Sequence, residues 1–251
     1  APIDGQLNDT KQWGYHVLTT HKGEYTLSGI AADTDQLFVA GRFDDGLKVY
    51  PAMLRWAPPL PGGATYVETF EDAAAAGARW FYVDQGTVEP TSDWKLTAGL
   101  ALETGQCSDD PADAGPADLG TLLWTPDAFF DQGALHARVR VSTGDSAGLV
   151  YGYRSEDEHF RVALMADGDL VRLVRVAKGS YLVLAEKPAP GPLAETWHDV
   201  DVFRSGDSHR VDVDGIEIFD VTFPVSDSAG AVGLYGWQCD ACAYDDVEIF
   251  P

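Results

Sequence analysis

The final segment of the chain, residues 230–250, restricts the fold more than any other part of the sequence. Two apolar runs with the composition of β-strands flank the short sequence Cys239-Asp-Ala-Cys242. This pattern predicts two antiparallel strands joined by a tight turn. We therefore predict that the segment is the closing hairpin of an antiparallel β-sandwich.

The predicted turn also places Cys239 and Cys242 where they can form a disulfide. Residues i and i+3 of a β-turn lie within about 7 Å at Cα, and a disulfide requires about 4.4–6.8 Å. A zinc site is a weaker interpretation because no second ligand pair exists, and a redox role is weaker because no βαβ pattern surrounds the pair. The third cysteine, Cys107, is either free or paired with one of the others. A disulfide-bonded pair favours a secreted or cell-surface protein.

The preceding sequence has the pattern of short strands separated by turns. Apolar residues alternate with His or Arg in 134–141, and valine alternates with aspartate in 198–203. Such alternation predicts half-buried antiparallel strands. Residues 97–103 are predicted to form one strand, and the Ala-rich run 72–79 is predicted to be a loop.

The clearest internal hairpin surrounds Asp214-Gly215, a dipeptide typical of type I′ turns. The corresponding register pairs Val211 with Ile218 on one face. On the other face it opposes Asp212 and Glu217, whose like charges destabilise the pair unless that face is hydrated or neutralised.

The composition of residues 58–65, rich in proline and glycine, predicts a linker. Residues 1–57 contain three strand-like runs and are predicted to form a small β-rich N-terminal segment. Because so few strands cannot bury both of their faces, this segment packs on the sandwich, pairs with another chain, or is what remains of a longer protein, and packing on the sandwich is the favoured expectation. Residues 66–251 are predicted to form the main domain.

The chain of 251 residues is strongly acidic, with 40 Asp and Glu against 17 Lys and Arg and a net charge of −23. Such a surface repels nucleic acid and anionic membranes, and it either attracts cations or keeps the protein soluble in salt. No apolar run reaches the roughly 20 residues of a membrane helix. We therefore expect neither nucleic-acid binding nor membrane insertion. The segment between Glu103 and Leu119 is predicted to be a solvated loop that contains four acids, Asp109, Asp110, Asp113 and Asp118.

Several short motifs occur in a consistent order and spacing, namely Phe70-Glu-Asp72 with Trp80, Ala147–Tyr153, His159–Val162, Thr196–Val200, Val213–Phe219, Gly233–Trp237 and Tyr244–Val247. With them, residues 66–250 resemble the concanavalin A-like, or laminin G-like, jelly-roll modules of bacterial surface proteins. The same stretch is more distantly similar to the C-terminal lectin-like domain of thrombospondins. The resemblance implies an all-β fold, an antiparallel jelly-roll β-sandwich.

The resemblance also implies a structural calcium ion where the first and last strands meet. Transferred by position, the oxygen donors are Glu71, Asp72, Asp245 and Asp246, together with backbone carbonyls. Ca²⁺ accepts six to eight hard oxygen ligands in irregular geometry. The alternative is that these four residues are ordinary surface acids of an acidic chain.

A sugar-binding module of this fold needs aromatic rings that stack on sugars and polar groups that bond sugar hydroxyls. The candidates are Tyr151, Tyr153, Arg154, His159, Arg161 and Trp237. For each of the tryptophans Trp80, Trp124, Trp197 and Trp237, a position in the core of the sandwich is favoured over a position in a binding site.

We therefore predict a non-catalytic, calcium-stabilised extracellular module that binds a polysaccharide, a glycoconjugate or matrix. One alternative is a structural or adhesive surface protein that assembles with itself or with another surface protein through its N-terminal strands. Another is a polysaccharide hydrolase or lyase. The local acidic group Glu156–Glu158 does not favour catalysis, because it falls in a turn and a retaining glycosidase needs two carboxyl groups about 5–5.5 Å apart.

Overall fold

A computed structural model describes the backbone of residues 24–33, 36–44 and 49–56. It also describes residues 63–86, 88, 91–97, 99–109, 118–224 and 229–251 with their side chains. Residues 58–62 of the expected linker lie outside the described residues, as do Asp110 and Asp113. The chain divides into two compact units, Ala1–Thr65 and Tyr66–Pro251.

The first unit contains one antiparallel sheet with the order β1-β2-β3. Its strands are β1 (Glu24–Asp33), β2 (Gln36–Asp44) and β3 (Val49–Trp56). The turn between β1 and β2 is tight, since Asp33 pairs with Gln36. The small β-rich N-terminal segment is therefore confirmed.

The second unit consists of short strands and one helical turn. In chain order these are β4 (Tyr66–Glu68), α1 (Ala73–Gly77), β5 (Phe81–Asp84), β6 (Trp94–Thr97), β7 (Leu100–Glu103), β8 (Thr121–Phe130), β9 (Gly133–Arg140), β10 (Ser146–Ser155), β11 (Glu158–Met165), β12 (Leu170–Ala177), β13 (Ser180–Pro188), β14 (Trp197–Ser205), β15 (Ser208–Val213), β16 (Ile216–Thr222), β17 (Gly230–Trp237) and β18 (Cys242–Phe250). Among the described residues, no helix is both long enough and apolar enough to cross a membrane.

These strands form two antiparallel sheets that pack face to face. The seven-stranded sheet has the order β13-β12-β11-β10-β17-β8-β5. The eight-stranded sheet has the order β16-β15-β14-β9-β18-β7-β6, and its eighth strand, β4, pairs with β18. The expected all-β antiparallel sandwich is confirmed.

Strand alternation places the core between the two sheets. In β9 the side chains of Leu135, Ala137 and Val139 are fully buried, whereas His136 and Arg138 lie on the outer face. Other inward side chains from both sheets complete this core, including Leu149, Phe160, Val162, Leu164, Leu173, Val200, Val202, Val211, Val232 and Leu234. The alternation of apolar and polar residues in the sequence therefore predicted the buried face of these strands correctly.

The end of the chain differs from the expected hairpin. The strands β17 and β18 belong to different sheets, so the turn between them crosses from one sheet to the other. Each strand can then turn its apolar side chains toward the shared core from opposite sides. Cys239 and Cys242 form a disulfide at this crossing, with 5.3 Å between their Cα atoms, and Cys107 is a buried free thiol.

Two further expectations were wrong. The Ala-rich run contains helix α1, because alanine favours helix and the Asp72 carboxylate accepts a hydrogen bond from Ala75 N–H at 2.9 Å. Residues 97–103 do not form one strand, because the chain turns at Gly99, whose φ is +84°. Two strands, β6 and β7, therefore form a hairpin there.

The hairpin between β15 and β16 has the expected turn, with positive φ at both Asp214 and Gly215. Asp212 pairs with Glu217 as predicted, but Val211 pairs with Phe219 rather than Ile218 because of a bulge. The Arg210 guanidinium, 2.9 Å from the Asp212 carboxylate, neutralises one of the two opposed acids.

Candidate functional site

The outer face of the seven-stranded sheet, turned away from the core, holds a second apolar cluster. Its buried members are Leu122, Val150, Tyr153, Ala163 and Tyr235, and the partly buried residues around them are Val83, Trp124, Met165, Ala231 and Trp237. The solvent face of an antiparallel sheet is commonly polar. The five central residues of this cluster are buried, and exposed apolar surface, which is typical of a binding surface, lies at the edge of the face around Phe81.

Four rings form a continuous row across this face, which we call the aromatic strip: Phe81, Trp124, Tyr153 and His159. Successive ring centroids lie 5.8, 4.8 and 6.0 Å apart. Phe81 is 49% exposed and Tyr153 is 8% exposed, so the strip is open at the sheet edge and becomes more buried toward its other end.

Small residues on the intervening strand allow the rings to meet. Strand β17 lies between β8 and β10 and places Gly233 opposite Trp124 and Ala231 opposite Tyr153. A Cβ atom at Gly233 would lie 2.7 Å from the Leu123 carbonyl oxygen and 3.1 Å from Trp124 Cβ. The absence of a side chain at Gly233 therefore permits the close approach of Trp124 and Tyr153.

The buried end of the strip has polar groups. His159 is fully buried, its Nδ1 lies 3.3 Å from the Ser155 carbonyl oxygen, and its Nε2 has no hydrogen-bond partner. Burial, reinforced by the nearby Arg161 guanidinium, lowers the pKa of His159 to about 3. The ring is therefore neutral at physiological pH. Nearby, the Gln85 amide donates to the Glu156 carbonyl at 2.8 Å and lies 3.4 Å from the Tyr181 hydroxyl.

Beside the strip, residue 118 is held tightly against the same face. Arg161 Nη1 and Tyr235 Oη both donate to the Asp118 carbonyl, at 3.1 and 2.6 Å. The Arg161 guanidinium lies 4.0 Å from the Tyr235 ring centroid, and the Asp118 carboxylate pairs with Arg172 at 2.5 Å. The Trp237 indole N–H donates to Asp109 at 2.9 Å.

Asp109 and Asp118 are therefore not the solvated loop acids that the sequence suggested. Donors on distant strands, Arg172 and Trp237, bind their carboxylates. The sequence placed no base near these acids, and only the sheet pairing brings the donors to them.

The six predicted ligand residues do not form one site. Tyr151 points into the core, where its hydroxyl is hydrogen-bonded to His209 Nδ1 at 2.8 Å and its ring stacks on Phe160. Because Tyr151 is fully buried between the sheets, it cannot contact a ligand on the outer face. Arg161 is also fully buried beneath residue 118.

The other candidates lie on or beside the outer face. Tyr153 and His159 belong to the aromatic strip, and Trp237 is half-buried at the other end of the sheet face. Arg154 is partly exposed, donates to the Ala229 carbonyl and lies 3.9 Å from Glu158. Sequence reasoning missed Phe81 and left Trp124 as a core candidate, because their proximity to Tyr153 depends on the register through β17.

The paired centre of this face contains no carboxylate. The residues there, on strands whose side chains are all described, are Leu122, Trp124, Gly148, Val150, Arg161, Ala163, Gly233 and Tyr235. Glu156 lies in the turn between β10 and β11, and Glu158 lies 3.4 Å from Arg175. Two carboxylates do approach the same face from the segment before β8, because burial and repulsion from Asp109 raise the pKa of Asp118. The arrangement thus offers stacking surfaces and hydrogen-bonding groups beside these two acids.

The four acids expected to bind calcium are only partly brought together. Asp72 caps helix α1. Burial, with repulsion from Asp246 and Glu71, raises the pKa of Asp245, which places these three acids in one neighbourhood. The Arg138 guanidinium lies 4.0 Å from Asp245 and 3.6 Å from Asp246. Glu71 and Asp245 fit a cation site by charge, whereas Asp72 has a structural role.

Among the described side chains, one group of three potential metal ligands has its ligand atoms within 4.8 Å of one another. It consists of Asp145, Cys239 and Cys242. The two sulfur atoms are bonded to each other in the disulfide. This group therefore has no free thiolate for a metal.

No protein-family model matches the chain, and no curated protein sequence matches it either. Solved structures with the same architecture do exist. The carbohydrate-binding module CBM66 from Bacillus subtilis is similar at 17% identity with a TM-score of 0.53, over 67% of this chain and 92% of the module. The Bacillus licheniformis β-glucanase is similar at 12% identity with a TM-score of 0.54, over 76% and 100%.

The endo-β-1,3-glucanase from Pyrococcus furiosus is similar at 13% identity with a TM-score of 0.52, over 78% of this chain and 95% of the enzyme. At these identities the likeness concerns the fold. The chain therefore has the concanavalin A-like jelly-roll fold that carbohydrate-binding modules and glucanases share.

Proposed function

We propose that this protein is a non-catalytic polysaccharide-binding module that binds a neutral glycan chain along the aromatic strip. The observation that supports the proposal is the strip itself: exposed Phe81 and half-buried Trp124 present ring surfaces to solvent on a face whose paired centre has no carboxylate. Sugar rings stack on such surfaces because their C–H groups are apolar, and polar groups at the edge then fix orientation.

A polar group at the buried end of the strip suits a sugar hydroxyl. The half-buried Tyr181 hydroxyl can donate or accept a hydrogen bond, whereas His159 is fully buried and packs beside the Tyr153 ring. The net charge of −23 disfavours sulfated or uronic-acid polymers, because the long-range repulsion acts before any contact forms. The structural similarity to a carbohydrate-binding module and to glucanases supports a neutral glucan as the first ligand to test.

The decisive comparison is Trp124→Ala against Trp197→Ala. Trp197 lies on the outer face of the other sheet, where the Arg138 guanidinium covers its ring at 5.0 Å. We expect Trp124→Ala to weaken binding to soluble β-1,3-glucan and related neutral glucans at least tenfold, about 1.4 kcal/mol, measured by isothermal titration calorimetry. Trp197→Ala should leave the Kd within twofold of wild type.

The same polymers are then assayed for new reducing ends after overnight incubation. Saturable binding without new reducing ends supports the module. Equal loss of binding in both variants would show that the aromatic strip is not the site, and steady release of reducing ends would replace the module with a glycosidase.

The calcium ion and the export of the protein are parts of the same proposal. Glu71 and Asp245 are the donors that fit a structural ion near the β4–β18 pair, where the ion would tie the ends of this unit together. The Cys239–Cys242 disulfide supports an oxidising, extracytoplasmic location. For the ion, Asp245→Asn should reduce any calcium-induced rise of the melting temperature.

A further inference from the structure

Three buried oxygen atoms without hydrogen-bond partners occur close together, away from the aromatic strip. They are Asp84 Oδ1, Ser92 Oγ and Glu103 Oε2. Glu103 is 0% exposed. A buried polar atom without a partner costs about 1–3 kcal/mol, and more when the group is charged, so three in one place require an explanation.

Backbone contacts bring the two carboxylates to neighbouring peptide groups, although they come from opposite sheets. Asp84 Oδ2 accepts from the Ser92 N–H at 3.4 Å, and Glu103 Oε1 accepts from the N–H of the next residue, Asp93, at 3.1 Å. The two carboxylates are therefore held on consecutive peptide groups, with one oxygen of each left over.

The strands confirm this placement. Asp84 pairs with Thr121 in the seven-stranded sheet, and Glu103 pairs with Trp94 in the eight-stranded sheet. The Trp94 indole N–H donates to Thr121 Oγ1 at 2.9 Å, which joins the two sheets beside the carboxylates. The three oxygens therefore belong to one polar cluster where the two sheets meet.

The charge at this site is not balanced by a base. No described Lys, Arg or His forms an ion pair with Asp84 or Glu103, and the nearby Lys95 pairs with exposed Asp93 at 2.6 Å. Burial, with repulsion from Asp84 and Asp93, raises the pKa of Glu103 to about 7. A buried carboxylate next to a second, partly buried one is unfavourable unless a proton or a cation neutralises the charge.

We propose that Asp84, Ser92 and Glu103 form a buried binding site for a hard divalent cation, calcium. Carboxylate and hydroxyl oxygens are the ligands that Ca²⁺ prefers, and carbonyl oxygens or water complete its irregular shell. This site is distinct from the acids around Asp245.

The test uses Tb³⁺ as a calcium probe and the whole chain of 251 residues. Trp94 is the strand partner of Glu103, and its ring lies 5.5 Å from that of Tyr244, so indole excitation should sensitise emission from bound Tb³⁺. We expect Ca²⁺ to displace this emission. At a concentration a hundredfold above its Kd, Ca²⁺ should also raise the melting temperature by about 5–10 °C.

Glu103→Gln and Asp84→Asn should each abolish the sensitised emission and remove most of the calcium-induced shift. Asp93→Asn, an exposed acid in the same segment, should retain both. Asp245→Asn should also retain the emission, which separates this site from the one near the β4–β18 pair. Since each key variant changes only one group, the second remains informative if the first does not fold.

The opposite results would overturn the proposal. One is emission and a calcium shift that persist in both Glu103→Gln and Asp84→Asn. Another is loss of the calcium response in Asp245→Asn alone. A third is a Glu103→Gln protein that melts higher than wild type while calcium has no effect on either, because Glu103 would then simply be a buried protonated acid.

Discussion

At the scale of single residues, two buried histidines are kept neutral by their surroundings. His209 points into the core, bonds the Tyr151 hydroxyl through Nδ1, and has no partner at Nε2. Burial, reinforced by the Arg204 guanidinium, lowers the pKa of His209 to about 4, and burial next to Arg161 lowers that of His159 to about 3. Both side chains therefore stabilise the native state only while they carry no proton.

The pH dependence of stability follows with a definite sign. In the unfolded chain a histidine has a pKa of about 6.5, so between that value and the native pKa the unfolded state binds more protons. Stability from His209 is fully present above about pH 6.5 and is lost as the pH falls toward 4, by at most about 1.4 kcal/mol per pH unit. Urea unfolding of wild type and His209→Gln should show a wild-type advantage at pH 7 that shrinks toward pH 4.

Glutamine is chosen because its amide oxygen can still accept from the Tyr151 hydroxyl but does not titrate. A difference between the two proteins that stays constant from pH 7 to pH 4 would show that protonation of His209 does not contribute to acid unfolding.

At the scale of secondary-structure elements, strand β17 determines both the fold and the candidate site. It lies between β8 and β10, and its small residues Gly233 and Ala231 allow Trp124 and Tyr153 to approach. Alternation along β9 and β14 was sufficient to predict which side chains are buried, because that pattern is local. The aromatic strip was not predictable in the same way, because it depends on pairing between strands far apart in the sequence.

The remaining misses have the same origin. Tyr151 and Tyr153 are two residues apart, so strict alternation places them on one face. The irregular pairing after Tyr151 instead leaves one ring in the core and the other on the outer face. The acids Asp84 and Glu103 showed no motif in the sequence, because they meet only when the two sheets pack.

A test at this scale concerns the turn between β15 and β16. Gly215 has a φ of +72°, whereas the φ of Gly191 is not positive. At both positions the space that an alanine Cβ would occupy is open, with no other atom within 4 Å. Gly215→Ala should therefore lower the free energy of unfolding by about 1–2 kcal/mol through left-handed strain alone. Gly191→Ala should be neutral or raise it by about 0.4–1 kcal/mol. Equal effects in urea unfolding would contradict the assigned turn geometry.

At the scale of the whole molecule, the two outer faces of the sandwich have different chemistry. The seven-stranded sheet carries the aromatic strip, whereas the eight-stranded sheet carries polar pairs such as His136–Asp201 at 2.9 Å and Arg138–Asp246 at 3.6 Å beside the Trp197 ring. These pairs neutralise only part of the excess negative charge, since the net charge of the chain is −23. The folded protein therefore carries substantial self-repulsion.

Salt should consequently stabilise the protein without changing its affinity for a neutral glycan. Raising NaCl from about 10 to 300 mM shortens the Debye length from roughly 30 Å to below 8 Å, so the melting temperature should rise by several degrees. The Kd for a neutral glucan should change less than twofold. A lower melting temperature in salt would mean that the surface ion pairs outweigh the repulsion.

The position of the last two strands also bears on how the molecule is made. Strands β17 and β18 lie inside the two sheets, each between strands that occur earlier in the chain. A ribosome that has synthesised residues 66–229 has thus released the outer strands of both sheets without the strands that join them. Neither sheet can close until residues 230–250 emerge, so folding of the sandwich follows the synthesis of that segment.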